Sequence, residues 1–330
     1  MSRLLVLNED EVLRLLPMRE CVNVMARALI ALARGQVHQP LRTVVRPPDI
    51  PGVLGLMPAA VSGEHPAFGL KAVCAFPANT ARGKDSHQGA VILFDTDSGE
   101  LLALMPASAV TALRTAAVTA VATELLSRRV AGDLAVIGAG RQARAHLEAL
   151  SAVRTLRRVR MHDVEEGRAQ AAAEAMSGSL PVTVEVVASA EEAVRGADLV
   201  VTVTSSAEPV LRGEWLSEGA HVNLVGASTP REREADAAVL ARSRLFVDRR
   251  ESCVNESGEY LAACEEGAIG PDHILAELGE LLTGEKLGRT EEAEITLFIS
   301  LGMAVEDVAA AEHTYRRALE AGAGVWVDFS

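Results

Sequence analysis

The sequence predicts an α/β protein: a doubly wound parallel sheet domain joined to a smaller α+β domain. Three observations predict it. Short apolar runs alternate with helical stretches across residues 127–250. A glycine-rich turn sits between the first of these runs and the helix after it. The stretch before them mixes short strands, a hairpin signal and two helical segments instead of a regular alternation. With 330 residues, a prior of about 150 residues per domain gives roughly two domains. Apolar residues at 49% and charged residues at 23% are enough to bury a core and argue against disorder.

In chain order, Val12 to Leu32 has apolar positions at helical spacing, with Pro17 near a start and Gly35 as a stop. Leu41 to Arg46, Val53 to Met57, Gly69 to Phe76, Gly89 to Asp95 and Glu100 to Met105 read as short strands. Pro, Gly, Asn and Asp clusters separate them. Asp95-Thr96-Asp97-Ser98-Gly99 is a hairpin signal. Thr111 to Leu126 is alanine-rich, lacks Gly and Pro, and should be a helix with Arg114 near its start.

Ser127 to Asp133 reads as a linker. Beyond it come apolar runs at Leu134–Ile137, Val159–Met161, Val182–Val187, Leu199–Val203, Val222–Val225 and Leu245–Val247, with helical stretches between the first four. Residues 251–330 read as mostly helical, with helical spacing at Ile274–Leu282 and Val305–Leu319. No internal repeat or low-complexity tract interrupts the chain. The expected division is a domain of residues 1–126 together with about 306–330, and a dinucleotide-type domain of 127–305.

Acidic residues number 45 against 32 basic ones, a net charge of -13. This disfavours nucleic acid or an anionic membrane as partner, because both need a basic face. No apolar run approaches the roughly 18 residues of a membrane span, and the Met1–Asp10 segment has no leader pattern, so a cytoplasmic protein is expected. Cys21, Cys74, Cys253 and Cys264 are scattered and suit reduced thiols. The eight histidines show no metal-binding spacing, so no metal is expected, and His87 and His221 read as hydrogen-bonding or packing residues.

The strongest chemical motif is Gly138-Ala139-Gly140-Arg141-Gln142-Ala143, a G-x-G-x-x-A after an apolar strand and at the opening of a helix. Gly138 permits the tight turn, Gly140 lets backbone approach a pyrophosphate, and Ala143 allows close helix–strand packing. Free amides at the helix start face the phosphate charge. This is the Rossmann type of dinucleotide site. Asp163, after the second strand, can accept from the adenosine ribose hydroxyls and would repel a 2′-phosphate, favouring NAD. A solvated loop aspartate is the plain alternative, and Arg160 and Arg168 leave NADP open. Thr202 to Ser206, including Thr204 and Ser205, and Val225-Gly226-Ala227-Ser228 follow the fourth and fifth strands, where a ligand of such a sheet lies.

Lys71, Lys84 and Lys286 are the only lysines. Lys71 falls within an apolar strand, and an unpaired buried ammonium is costly, so it needs a partner. A salt bridge is one reading. The other is a carboxylate site shared with Arg42 and Arg114, where Arg binds bidentately and Lys adds a point charge.

These residues resemble the ornithine cyclodeaminase and mu-crystallin family over about Gln39 to Ala323. The segments that carry the resemblance are Gly55-Leu56-Met57-Pro58, Gly69-Leu70-Lys71, Pro77-Ala78-Asn79, Thr111 to Ala117, Ile137 to Ala143 and Ser300 to Asp307. The Gly226-Ala227-Ser228 turn and the Ser300 run are most similar to the ketimine reductase branch. The resemblance implies a homodimer formed by the first domain and a substrate carboxylate held by Lys71, Arg114 and Arg42 beside Met57. It also implies a dinucleotide on the middle domain, with the substrate meeting the nicotinamide between domains. It places Ser86, His87, Thr115 and Ser300 toward the cofactor. Asp236 is the candidate proton-handling residue; a helix-capping aspartate is its alternative.

One departure matters. Ornithine cyclodeaminases carry Glu just before Leu-Met-Pro, near the distal amine, where this chain has Gly55. The expected activity is therefore NAD(P)H-dependent reduction of a cyclic 2-imino acid, pyrroline-2-carboxylate or piperideine-2-carboxylate, to proline or pipecolate. Ornithine cyclodeaminase is the alternative, then an alanine-type dehydrogenase, then a non-catalytic small-ligand binder.

Overall fold

A computed structural model describes residues 3–76, 78–79 and 83–329. Met1, Pro77 and Ser330, which fall within segments read above, lie outside the described residues. The chain divides into two compact units, residues 1–114 with 303–330, and residues 115–302. The division falls inside one helix, twelve residues before the sequence-based boundary at 126.

The first unit is built on an eight-stranded sheet. β4 (Val53–Val61), β5 (Ala67–Ala75), β6 (His87–Phe94) and β7 (Leu101–Pro106) form an antiparallel meander. The β6–β7 hairpin closes on Asp95, whose carboxylate accepts from the Asp97 and Ser98 amides. β2 (Val37–His38) and β3 (Thr43–Val45) pair with β4, so the expected Leu41–Arg46 strand is shorter. β1 (Arg3–Val6) joins β7 in parallel and β16 (Val325–Asp328) on its other side. Both escaped the sequence reading because four residues carry too little periodicity.

The expected helix from Val12 to Leu32 is two helices, α1 (Glu9–Leu15) and α2 (Met18–Ala33), with Pro17 as the cap of the second. Proline cannot donate within a helix and tolerates only its first turn. α11 (Ala304–Ala321) packs against α2 and against β4, β5 and β6. One sheet face is thereby covered, and Lys71, Gly69 and Ala67 lie on it, buried. On the other face the Phe68 and Phe94 rings pack tilted by 45°, 5.8 Å between centroids, and Leu56, Pro58, Leu70 and Ile92 are half-buried.

The second unit carries an eight-stranded sheet, parallel throughout. It comprises β8 (Asp133–Ile137), β9 (Arg158–His162), β10 (Val184–Val186), β11 (Leu199–Thr202), β12 (His221–Leu224), β13 (Ser243–Val247), β14 (Ile274–Glu277) and β15 (Ile295–Ile299). Their order is β10-β9-β8-β11-β12-β15-β13-β14. Leu134 and Val136 enter one core, Ala135 and Ile137 the other, so both faces are buried. The order switches direction between β8 and β11, where ligands of such sheets bind.

Two expectations fail here. Ile274–Leu282 begins as a strand and becomes helix α10 only at Leu278. The C-terminal stretch also hides β15, five consecutive buried residues in mid-sheet. A short continuous apolar run reads equally as helix or strand. Helix α3 (Ala107–Leu126) starts four residues earlier than expected. By length and mean hydropathy it could cross a membrane, but Arg114 and Glu124 interrupt it and 83% of its most apolar window is buried inside the protein, as in a core helix.

Candidate active site

Lys71 points from β5 to the covered face, directly opposite Met57 of β4 in the antiparallel register, and both are buried. Its Nζ lies 2.8 Å from Asp307 Oδ2 and donates to Thr111 Oγ1 at 3.4 Å. Arg114 sits two turns into α3 rather than at its start. Its Nε donates to Asp307 Oδ1 at 2.9 Å and its Nη1 to Glu306 Oε2 at 2.6 Å. Asp307 thus bridges the two cations. Gln39 fixes the start of α11: its Oε1 accepts from the Val305 amide at 2.9 Å.

The electrostatics follow from burial. Desolvation, opposed by Asp307 and reinforced by Arg114 and Arg42, brings the Lys71 pKa down to about 8. Burial also works against the Arg114 charge, but Asp307 and Glu306 outweigh it. Arg42, half-buried just before β3, belongs to this electrostatic group. Of the two alternatives for Lys71, the structure shows the salt bridge, with Asp307. Glu306 and Asp307, to which the sequence alone gives no role, hold the cluster.

In the second unit, β8 leads into α4 (Arg141–Val153) through the glycine turn. Gly138 has φ +100°, open to glycine at little cost, and a Cβ there would stand 2.8 Å from Val203 O. Ala139 N donates to Asp163 Oδ2 at 2.8 Å, which ties the turn to the end of β9. Asp163 Oδ1 accepts from Glu165 N. Arg160 is buried, donating to the Glu192 and Arg195 carbonyls, and Arg168 pairs with Glu165. Both guanidinium groups are therefore engaged within the protein.

The residues fit a dinucleotide. Gly140 caps α4 without a side-chain bond, and a Cβ on it would meet nothing within 4 Å, so the space above the turn is open. Arg141 is exposed beside it. Gln142 Oε1 and Ser300 Oγ are buried without a hydrogen-bond partner among the described residues. Uncapped amides, open space and two unsatisfied polar atoms suit an anionic, hydrogen-bonding ligand. Ser300 lies beside the end of β12, its amide donating to Leu224 O at 2.9 Å.

The remaining candidates separate. Thr204, Ser205, Val225, Gly226 and Ser228 stand at the carboxyl ends of β11 and β12. Thr202 is fully buried and its hydroxyl donates to Glu234 at 2.7 Å, so it supports the wall from behind and does not offer that hydroxyl to a ligand. Thr115, in α3, is buried and its carbonyl accepts from Thr119. Ser86 and His87 lie in the first unit at the start of β6, bonded to each other at 3.0 Å. Asp236 is the N-cap of a short helix, α7 (Ala237–Ala241): its Oδ1 accepts from the Val239 amide at 3.1 Å and the Gly213 amide at 3.0 Å. The capping alternative accounts for the bonds that Asp236 makes. His221 bonds Thr296 and Asn223, as a packing histidine does.

A doubly wound sheet with a glycine turn at its switch point defines a nucleotide-binding α/β protein. The family model for the ornithine cyclodeaminase/mu-crystallin family matches residues 3–322, and the chain belongs to that family. It is 42% identical over 281 residues to the ketimine reductase mu-crystallin of Mus musculus, covering 85% of each chain. It is similar to the solved Delta(1)-pyrroline-2-carboxylate reductase of Thermococcus litoralis, a complex with NADH and L-proline. There the identity is 37%, the TM-score 0.95, and coverage 97% of this chain and 99% of that one. It is also similar to an archaeal alanine dehydrogenase dimer with bound NAD, at 33% identity, TM-score 0.93 and full coverage of both chains, 100% each.

Proposed function

We propose that this chain is an NAD-dependent oxidoreductase that reduces the C=N bond of a cyclic 2-imino acid. The substrate is pyrroline-2-carboxylate or piperideine-2-carboxylate, and the product proline or pipecolate. The observation that carries the reading is the buried Lys71–Arg114 cluster on β5 and α3, set in a family whose similar members are named as imino-acid reductases.

Arg114, whose Nε and Nη1 are bonded to Asp307 and Glu306, adds its positive charge to a substrate carboxylate, and Lys71 adds a point charge beside it. Together with Arg42 they fix the α-carboxylate and so orient the imine carbon, which can supply several kcal/mol of the barrier reduction. Lys71 Nζ, with its pKa near 8, holds a proton at neutral pH and releases it more readily than an exposed lysine. It can keep the imine nitrogen protonated, the better electrophile. A bound nicotinamide supplies the hydride. Gly138 to Gln142 hold the pyrophosphate, Asp163 the ribose, and Thr204, Ser205, Gly226, Ser228 and Ser300 the remaining wall.

Gly55 favours an imine over ornithine. It lies on the same sheet face as Met57 and Lys71 and offers no carboxylate to a second ammonium. A homodimer accompanies this reading. The outer apolar face of the first unit's sheet, with Leu56, Pro58, Leu70 and Ile92 half-buried and Phe68 exposed, suits a second copy, and the similar alanine dehydrogenase is a dimer.

The test is direct. Purified protein mixed with NADH and each cyclic imine should consume NADH and form the matching amino acid. Absence of consumption, together with ammonia release from ornithine, would replace the reading with the cyclodeaminase.

A further inference from the structure

Glu234 lies two residues before Asp236. In the structure it is fully buried in the second unit, between the exits of two strands. Its Oε1 accepts from the Thr204 amide at 2.6 Å. Its Oε2 accepts from the Gly226 amide at 2.6 Å and the Thr202 hydroxyl at 2.7 Å. Three donors from the ends of β11 and β12 converge on one carboxylate.

The surroundings leave no slack. A Cβ on Gly226 would stand 2.1 Å from Thr204 O, so the two exits are in backbone contact at this point. The Gly138 turn presses on the same exit, with Val203 O at 2.8 Å from its Cβ position. Behind Glu234, its own amide donates to Glu259 Oε1 at 3.0 Å, and Ser257 Oγ holds the other oxygen of Glu259. Burial pushes the Glu234 carboxyl upward, while the converging donors pull it back.

We propose that Glu234 is a positioning residue for the dinucleotide: by joining the β11 and β12 exits it fixes the wall against which the cofactor lies. The inference rests on the dinucleotide reading of this site, not on the identity of the imino acid. An acceptor-only group is required. Glutamine cannot replace it, because whichever way its amide turns, an N–H faces the Thr204 or the Gly226 N–H.

The experiment is NADH binding, followed by nicotinamide fluorescence without any imino acid. Failure of the substrate reading would leave it untouched. Glu234→Gln should raise the NADH Kd at least about tenfold. The KM for imino acid at saturating NADH should move far less. Leu297→Ala, in the sheet core away from the strand exits, is the comparison: it should lower Tm and leave Kd near the wild-type value. Where Glu234→Gln yields no folded protein, Thr202→Val removes one donor and adds none, and should raise Kd about threefold. An unchanged Kd in folded Glu234→Gln, or in Thr202→Val when that variant carries the test, overturns the proposal. So does an equal rise in Leu297→Ala.

Discussion

Lys71 Nζ lies 2.8 Å from Asp307 Oδ2, with both side chains buried, and the other oxygen of the same carboxylate holds Arg114. A strand and a helix far apart in sequence are joined by one shared anion. Removing it leaves two buried cations short of charge. Asp307→Ala should therefore destabilise the protein by about 3–5 kcal/mol, the usual consequence of breaking a buried pair. Thermal or urea unfolding reads this out. A change below about 1 kcal/mol would mean the pair is solvated.

Activity should follow the Lys71 proton. Its pKa of about 8 predicts that kcat/KM for the imino acid falls as pH rises through about 8, because a neutral amine no longer attracts the carboxylate. The stability effect of this group has the opposite sense. Between about 8 and the ordinary 10.5 the unfolded chain holds the extra proton, so this lysine's contribution to stability grows as pH rises. A pH profile of kcat/KM flat to pH 10 would remove Lys71 from substrate binding.

NADH should be preferred to NADPH by at least about tenfold in kcat/KM, as one unfavourable charge contact gives. Asp163 sits at the end of β9 bonded to the Ala139 amide, and Arg160 and Arg168 are engaged elsewhere. Asp163→Ala should narrow the preference. Equal use of both cofactors by the wild type would contradict the placement.

Ornithine should release no ammonia. Gly55 has room for a side chain, since the nearest atom to its Cβ position is Val73 Cγ1 at 3.6 Å. Gly55→Glu should raise the KM for the imino acid several-fold by adding an anion near the carboxylate cluster. Steady-state kinetics on both substrates checks it. Ammonia from ornithine with wild-type protein would favour the cyclodeaminase.

The parallel sheet was legible because its apolar runs and glycine turn are local signals: Leu134–Ile137, Gly138 and Gly140 announce strand, turn and helix within a dozen residues. The cations Lys71 and Arg114 were legible as oddities in apolar surroundings. Their counter-charges were not, because Glu306 and Asp307 are brought to them by the fold alone. Likewise the roles of Thr202 and Asp236 depend on partners that the tertiary structure supplies, Glu234 for one and two backbone amides for the other. β15 was hidden because five buried residues carry no period to distinguish strand from helix.

The most direct measurement is Lys71→Met assayed for two properties in one preparation. NADH binding should be retained, since the nucleotide residues lie elsewhere in the chain. Turnover of pyrroline-2-carboxylate or piperideine-2-carboxylate should fall at least about 100-fold, the loss expected when a substrate is no longer positioned. Unchanged turnover would contradict the carboxylate site on which the account rests.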